Sequence, residues 1–307
     1  MIKNQIKGRT VPIEYGHSKP APKMRYVRLG NSGLKVSRLI MGTATYGIKS
    51  DVVWRVEEEE ALKHLQRAWE LGFNTFDTSN FYCNGSHFPV GNSETQGPAG
   101  LTLTAGNNRK LHRFDYETPI EETMRALHDV VQAGYVRYIG MSSCWAWQFH
   151  AMQNYAIANN LTPFINCQNF YNLLYREEER EMMPLLKHLG IGSTPWSPMA
   201  KGHLTRPLSK AYETTSDAYH DEAILGVEWE KEINRRVEQL AEKRGLSMAQ
   251  VAQAWVLHKD SVAAPIVGIS KIERFEDTMA ALDVELSDEE MRFLEEPYQP
   301  RSTVGFS

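Results

Sequence analysis

The sequence predicts an α/β protein: a parallel (β/α) barrel of the TIM type, built as one domain. Helix-like and strand-like segments alternate along most of the chain. The strand-like segments are apolar without a period of two, which is typical of parallel strands covered on both faces. No interruption is long enough to mark a second domain. We therefore expect residues 24–307 to form the barrel domain and residues 1–23 to form a loose N-terminal tail.

The composition excludes several classes of function. The 307 residues carry a net charge of -4, which gives no basic field for nucleic acid or for an anionic membrane. The three cysteines, Cys83, Cys144 and Cys167, contain no CxxC pair, which argues for a reducing compartment and against a zinc site. We therefore expect a cytoplasmic protein without metal, nucleic acid or membrane partners; the sequence leaves its oligomeric state open.

The first elements follow the order that a barrel requires. Residues 25–29 and 34–36 predict a hairpin, and residues 38–41 predict an apolar strand. A helix is predicted over 57–70, where apolar residues recur at helical spacing. Gly72 follows it, as expected for a helix that ends in a left-handed residue.

A short strand, predicted over 73–76, brings Asp77 to its carboxyl end, and Tyr82 follows five residues later. In a parallel barrel the carboxyl ends of the strands carry the chemistry. A tyrosine beside an aspartate can protonate a carbonyl group if its surroundings lower its pKa from about 10. The same residues also allow a plain structural interpretation, in which the aspartate caps a loop and the tyrosine packs against it.

Residues 85–109 show no helix period and little strand pattern. Irregular loops of this length are uncommon in compact domains unless they are functional or disordered. We therefore expect an irregular loop here, and a second long connection over 202–228.

The alternation resumes with a short strand end over 110–115. The later helices are predicted over 119–133, 145–159, 177–189, 229–244, 247–258 and 272–282, and the later strands over 135–141, 164–167, 191–194 and 263–267. Thr118 and Ser247 are the expected N-caps of two of these helices, with Pro119 as the first helical residue after Thr118. Gly134 is expected to close the helix over 119–133, and Gly190 the helix over 177–189.

Five stretches, in consistent order, resemble the aldo-keto reductase family and most closely its microbial and fungal branches. They are Leu-Gly-Asn-Ser-Gly-Leu-Lys-Val-Ser-Arg-Leu at 29–39, Phe-Asn-Thr-Phe-Asp-Thr-Ser-Asn-Phe-Tyr at 73–82, Val-Arg-Tyr-Ile-Gly-Met-Ser-Ser at 136–143, Trp-Ser-Pro-Met-Ala-Lys-Gly at 196–202 and Pro-Ile-Val-Gly-Ile-Ser-Lys at 265–271. The resemblance covers about residues 24–300. It implies a TIM barrel that binds NADP and reduces an aldehyde or ketone.

The resemblance further implies a catalytic tetrad of aspartate, tyrosine, lysine and histidine. Asp77 and Tyr82 match its first two members, and His112, in Leu-His-Arg-Phe-Asp, matches the histidine at the end of the fourth strand. By this resemblance Tyr82 gives a proton to the substrate carbonyl oxygen while the nicotinamide gives hydride to its carbon. His112 orients the carbonyl, and the lysine–aspartate pair lowers the pKa of the tyrosine.

The tetrad lysine has no counterpart in residues 85–109. Compared with the family, one block is absent before His87 and one between Lys110 and Leu111, each about the size of a ~30-residue strand-plus-helix unit. We therefore expect a barrel that is incomplete around strands 3 and 4. Three explanations stay open: a faulty or alternative transcript, a natural relative that lost catalysis, and an enzyme with a remodelled site. In the last, Lys110 would share a strand face with His112; the alternative interpretation of Lys110 is a solvated loop lysine.

Four residues are implied for the nicotinamide. Ser142, Ser143 and Gln168 match the residues that bind its carboxamide, for which neutral donors and acceptors suffice. Trp196 matches the residue that stacks on the ring. The alternative interpretation of Trp196 is a core tryptophan.

The remaining cofactor residues are implied for the phosphates and the adenine. Those at the pyrophosphate are Ser197, Met199, Lys201 and Gly202, and those at the 2′-phosphate are Gly268, Ser270, Lys271 and Arg274. A strand end followed by a helix start favours a phosphate, and two cations there fit NADP better than NAD. Asp277 stands where the family often has a residue that touches the adenine.

The sequence thus predicts an NADPH-dependent reductase of a small carbonyl compound. The alternative is a non-catalytic relative that binds a nucleotide or a partner protein without turnover. The substrate itself is not predicted, because in this family it is set by loops such as residues 49–56, 85–109 and 203–228.

Overall fold

The computed structural model describes residues 23–46, 56–79, 113–210 and 225–304. The predicted irregular loop over 85–109 lies outside these ranges, and so does the predicted N-terminal tail apart from Lys23. Within the described ranges the protein is α/β with parallel sheets, as predicted. None of its described helices is long and apolar enough to cross a membrane.

Eight strands and eight α-helices are described. The strands are β1 Tyr26–Arg28, β2 Lys35–Ser37, β3 Ile40–Gly42, β4 Phe76–Asp77, β5 Ile139–Ser142, β6 Phe164–Gln168, β7 Gly192–Ser193 and β8 Ile266–Gly268. The helices are α1 Glu58–Glu70, α2 Ile120–Gln132, α3 Ala146–Ala158, α4 Met182–Leu189, α5 Glu228–Arg244, α6 Met248–Leu257, α7 Arg274–Ala280 and α8 Asp288–Glu295. Short 3-10 turns cover Glu177–Glu179, Ala200–Gly202, Leu208–Lys210 and Ala281–Asp283.

Six of the strands run parallel in the order β4-β3-β8-β7-β6-β5, while β1 and β2 form a separate antiparallel hairpin. β3 pairs with β4 and β8, and β6 pairs with β5 and β7. The segments containing β7 and β8 are joined by backbone bonds from Ala263 to Ser193 and from Ile266 to Pro195, both of 2.8 Å. The described strands thus form an arc that ends at β4 and β5, and they do not close into a ring.

Helices cover the arc with apolar side chains. Ala61 and Leu65 of α1 and Phe275 of α7 belong to one buried cluster with Phe76 of β4 and Val267 of β8. Because the strands are covered in this way, β3 and β4 are buried at every position. This explains the missing period of two in the sequence.

Two of the predicted helix ends are confirmed in detail. Gly72 adopts φ +91°, a left-handed conformation that suits a residue without Cβ, directly after α1. Ser247 caps α6, since its hydroxyl oxygen accepts a 3.0 Å bond from the backbone N–H of Gln250. The prediction for α2 was wrong by one residue. Pro119 and not Thr118 is the N-cap, because the Pro119 carbonyl accepts the first helical bond, from Thr123.

Other boundaries also differ from the prediction. The predicted helix over 177–189 is a 3-10 turn over Glu177–Glu179 followed by α4. The predicted strand over 135–141 begins only at Ile139, and Tyr135 is 81% exposed. The strand predicted over 73–76 is observed as β4, which begins three residues later and ends one residue later. α8 was not predicted from the sequence, although Ser287 and Glu290 form a capping box at its start.

Candidate active site

Asp77 lies at the carboxyl end of β4 and is buried. Its backbone oxygen accepts hydrogen bonds from the backbone N–H and the hydroxyl of Thr43, at 2.9 and 2.7 Å. Its carboxylate accepts a 3.0 Å bond from the side-chain amide of Gln168. β4 and β6 are not neighbours in the arc, so this bond crosses its interior and joins a predicted catalytic residue to a predicted cofactor residue.

The predicted carboxamide residues form one hydrogen-bonded group. Ser142 pairs with Gln168 in the sheet, and its hydroxyl donates a 2.6 Å bond to the Gln168 carbonyl. The hydroxyls of Ser142 and Ser143 are 3.3 Å apart. Both serines and Gln168 are buried. The structure therefore brings these three residues and Asp77 together at the carboxyl ends of β4, β5 and β6.

Two residues that were not predicted from the sequence support this group. Asn169 accepts a 2.7 Å bond from the backbone N–H of Ser143 and donates from its amide to the carboxyl group of Glu178. Burial raises the pKa of Glu178 to about 8, against the lowering effect of the Asn169 hydrogen bond. The only sequence signal was a polar residue directly after Gln168. The run Glu177–Glu179 gave no indication of which acid turns inward.

The surroundings of Trp196 fit both interpretations, a core tryptophan and a residue that stacks on the nicotinamide ring. Its ring centroid lies 4.5 Å from that of Phe170, and its side chain packs against buried apolar residues. The residue remains half-buried. Its backbone N–H donates a 3.0 Å bond to the carbonyl of Asn169, which fixes its position relative to β6.

The segment predicted at the pyrophosphate has an unusual backbone. Ser197 and Lys201 adopt left-handed conformations with φ of +53° and +55°, and so does Ala200 between them, at +49°. Ser143 does the same at +46°. Each such non-glycine residue costs about 1–2 kcal/mol, and strained residues of this kind cluster at functional sites. Met199 is half-buried in this segment, and Gly202 ends its 3-10 turn.

The residues predicted at the 2′-phosphate lie beyond the end of β8. Gly268 is exposed, and the exposed Arg274 donates a 2.9 Å bond to the hydroxyl of Ser270. Lys271 is exposed beside them. Asp277 accepts a 2.9 Å bond from the Ser247 hydroxyl, so part of its carboxylate is engaged with the start of α6.

The donor set fits a phosphorylated dinucleotide. Neutral amides and hydroxyls line the carboxyl ends of β5 and β6, and two exposed cations follow β8. Among the residues described, no group of three or more histidines, cysteines, aspartates or glutamates could hold a metal ion. Tyr82, His112 and Lys110 lie outside the described residues, so their predicted roles remain predictions.

A family model and three similar proteins point to the same family. The model of the Aldo/keto reductase family matches residues 38–104 and 101–298. The chain is 37% identical to versiconal hemiacetal acetate reductase of Aspergillus parasiticus, over 91% of this chain and 98% of that protein. Two proteins named "Putative aryl-alcohol dehydrogenase", from Schizosaccharomyces pombe and Saccharomyces cerevisiae, are 40% and 37% identical, over 91% of this chain and 97% and 98% of theirs.

The alignment with the Aspergillus reductase has more positions than this chain contributes residues. It runs over 338 positions, whereas 91% of 307 residues is about 279, so about 59 positions hold no residue of this chain. The two segments matched by the family model overlap at residues 101–104, which lie outside the described residues. These matches, together with the arrangement at the strand ends, show that the chain belongs to the aldo-keto reductase family.

Proposed function

We propose that the protein is an NADPH-dependent reductase that converts an aldehyde or ketone to an alcohol, with Tyr82 as proton donor. The observation that carries the proposal is the 3.0 Å bond between Gln168 and Asp77. It holds a residue of the family's catalytic set beside the residues that match its nicotinamide site. This is the juxtaposition that carbonyl reduction requires.

Each residue has a defined task in this proposal. Ser142, Ser143 and Gln168 hold the carboxamide. Lys271 and Arg274 hold the 2′-phosphate. The bound cofactor supplies the hydride. Asp77 is the electrostatic partner of Tyr82, and His112 orients the substrate carbonyl.

The missing lysine implies a slow enzyme. A cation beside a tyrosine stabilises its phenolate form, and without it the pKa of Tyr82 stays closer to its ordinary value of about 10. A tyrosine of higher pKa is the weaker acid, so we expect turnover below that of relatives with a full tetrad. The cytoplasmic location expected from the cysteine content is likewise a prediction.

The first test is turnover. The purified protein is mixed with NADPH and a panel of reactive aldehydes that includes aromatic ones, since two relatives carry the name aryl-alcohol dehydrogenase. Absorbance at 340 nm is followed over time. Tyr82→Phe should lower the rate by about 10²-fold or more, because the proton donor is lost, while the Kd for NADPH stays within about twofold.

The matched control is Tyr135→Phe, which removes the hydroxyl of an exposed tyrosine and should change neither value. Equal loss of turnover and NADPH affinity in Tyr82→Phe would contradict the assigned role, since the side chain would then serve binding or folding.

The second candidate is a non-catalytic relative that binds nucleotide, or a partner protein, without turnover. It is favoured by the contrast between the absent lysine and the cofactor residues, which are all present. Quenching of tryptophan fluorescence by NADPH without loss of absorbance at 340 nm would support it. If NADPH neither quenches the fluorescence nor loses absorbance at 340 nm, both the reductase and the nucleotide-binding relative are excluded.

A further inference from the structure

We propose that Glu178 and Asn169 are positioning residues that set the geometry of the nicotinamide carboxamide site. The inference rests on the proposed function, because it assigns a role toward the cofactor. Neither residue has to touch the cofactor. They act through the backbone of Ser143.

Ser143 needs an external partner. Its φ of +46° takes it out of the extended backbone of β5, and it is completely buried. Its N–H finds the side-chain oxygen of Asn169 at 2.7 Å. A buried N–H without a partner costs about 1–3 kcal/mol, so Asn169 holds the chain in this conformation.

The amide of Asn169 must face one way for this to work. An amide group offers an oxygen at one end and two N–H donors at the other. Its oxygen also accepts from the thiol of Cys167, at 3.3 Å, while its nitrogen donates to Glu178. If the amide turned over, two N–H groups would face each other at Ser143. Glu178 supplies the acceptor that prevents the turn.

Glu178 differs from its two neighbours in what it binds. Glu177 accepts a 2.7 Å bond from the hydroxyl of Tyr298, and Glu179 accepts a 2.7 Å bond from Arg176. Glu178 alone points at the site, and it is only 3% exposed. Burying a carboxyl group is unfavourable unless it is hydrogen-bonded. The stabilised conformation at Ser143 provides a reason for a buried acid at this position.

The effect reaches the cofactor residues directly. Ser143 follows Ser142, whose hydroxyl bonds to the Gln168 carbonyl, and the Gln168 amide bonds to Asp77. Binding groups must be held within about 0.5 Å of their working positions by the residues behind them. A shift of Ser143 would therefore misalign the carboxamide contacts and leave the phosphate contacts intact.

The test compares two ligands by isothermal titration calorimetry. NADPH occupies both ends of the predicted site, whereas adenosine 2′,5′-bisphosphate carries the adenine end without the nicotinamide. We expect Glu178→Leu and Asn169→Ala each to weaken NADPH binding about tenfold, the size of roughly one good hydrogen bond. Binding of the bisphosphate should stay within about twofold of wild type.

Two further variants make the test specific. Glu178→Gln keeps an oxygen that accepts from Asn169 and should retain near wild-type NADPH affinity. The double variant Glu178→Leu/Asn169→Ala should bind NADPH no more weakly than the weaker single variant, because both act through one contact. If Glu178→Leu does not fold, Asn169→Ala and Glu178→Gln carry the comparison.

Several results would overturn the proposal. Additive losses in the double variant, equal weakening of both ligands, or unchanged NADPH affinity would each exclude a positioning role. A wild-type protein that does not bind NADPH would overturn the proposed function and this inference with it. Since that result appears before any variant is made, the two failures are distinguishable.

Discussion

The two ends of the predicted cofactor site differ in how they hold their residues. At the nicotinamide end Asp77, Ser142 and Gln168 are buried and bonded to one another across three strands. At the phosphate end Lys271 and Arg274 are exposed, and one side-chain hydrogen bond, from Arg274 to a serine hydroxyl, links the predicted residues. The nicotinamide end is therefore a fixed arrangement of buried polar groups, and the phosphate end is a pair of hydrated charges.

The difference follows from burial. A buried polar group must find partners inside the protein, so its geometry is specified by its neighbours. An exposed cation is hydrated and screened, so it attracts a phosphate over a distance without a fixed geometry. We expect variants of the two ends to differ in ligand selectivity and in salt dependence, and three experiments test this.

The largest effect is expected from removing both cations. Lys271→Ala/Arg274→Ala should weaken NADPH binding about 100-fold, or about 2.7 kcal/mol, since two charge-assisted contacts contribute about 1.5–3 kcal/mol each and exposure to solvent reduces their sum. NADH, which lacks the 2′-phosphate, should bind as before. The salt dependence of NADPH binding should also flatten. Titration calorimetry at two ionic strengths measures both.

The matched control for this variant is Lys187→Ala/Lys243→Ala, which removes two exposed cations from α4 and α5. It changes the net charge equally and should leave NADPH affinity unchanged. Equal weakening in both variants would mean that overall charge, and not a phosphate site after β8, attracts the cofactor.

A smaller effect is expected from Ser142→Ala. The variant removes the hydroxyl that donates to Gln168, and we expect NADPH and NADH to bind about tenfold more weakly, in proportion to one buried hydrogen bond. Adenosine 2′,5′-bisphosphate should bind normally. A loss confined to NADPH would place Ser142 at the wrong end of the cofactor.

The smallest effect is expected from Ser270→Ala, the matched serine at the phosphate end. Its hydroxyl accepts from Arg274 at an exposed position, where losing a hydrogen bond costs a few tenths of a kcal/mol to about 1 kcal/mol. NADPH should bind about two- to fourfold more weakly, with NADH unaffected. A loss as large as that of Ser142→Ala would show that the two ends are equally rigid, and the comparison would fail.

The features that the sequence predicted correctly are those that depend on neighbouring residues. The hydroxyl of Ser247 caps α6 because the N–H that it meets lies only three residues away. Gly72 ends α1 because it can adopt the positive φ that this helix end requires, and this property belongs to the single residue. The strands were recognised from apolar runs, and their exact ends were not, because an end depends on where pairing stops.

The features that were missed depend on contacts between distant segments. Nothing in the run Glu177–Glu179 shows which side chain turns inward, because that is decided by Asn169 on one side and Tyr298 on the other. The bond between Gln168 and Asp77 joins residues 91 positions apart. No spacing pattern along the chain predicts this bond.

The sequence by itself determined the family and the order of helices and strands up to α7 in the described ranges, because periodicity, caps and motifs are read along the chain. It also named the residues expected at each part of the cofactor. Only the tertiary structure decided which of them meet, that Asp77 faces Gln168, and that Asn169 and Glu178 stand behind Ser143. The physical reason is that a buried polar group is stable only with a partner, and the arc of strands brings those partners together from segments far apart in the chain.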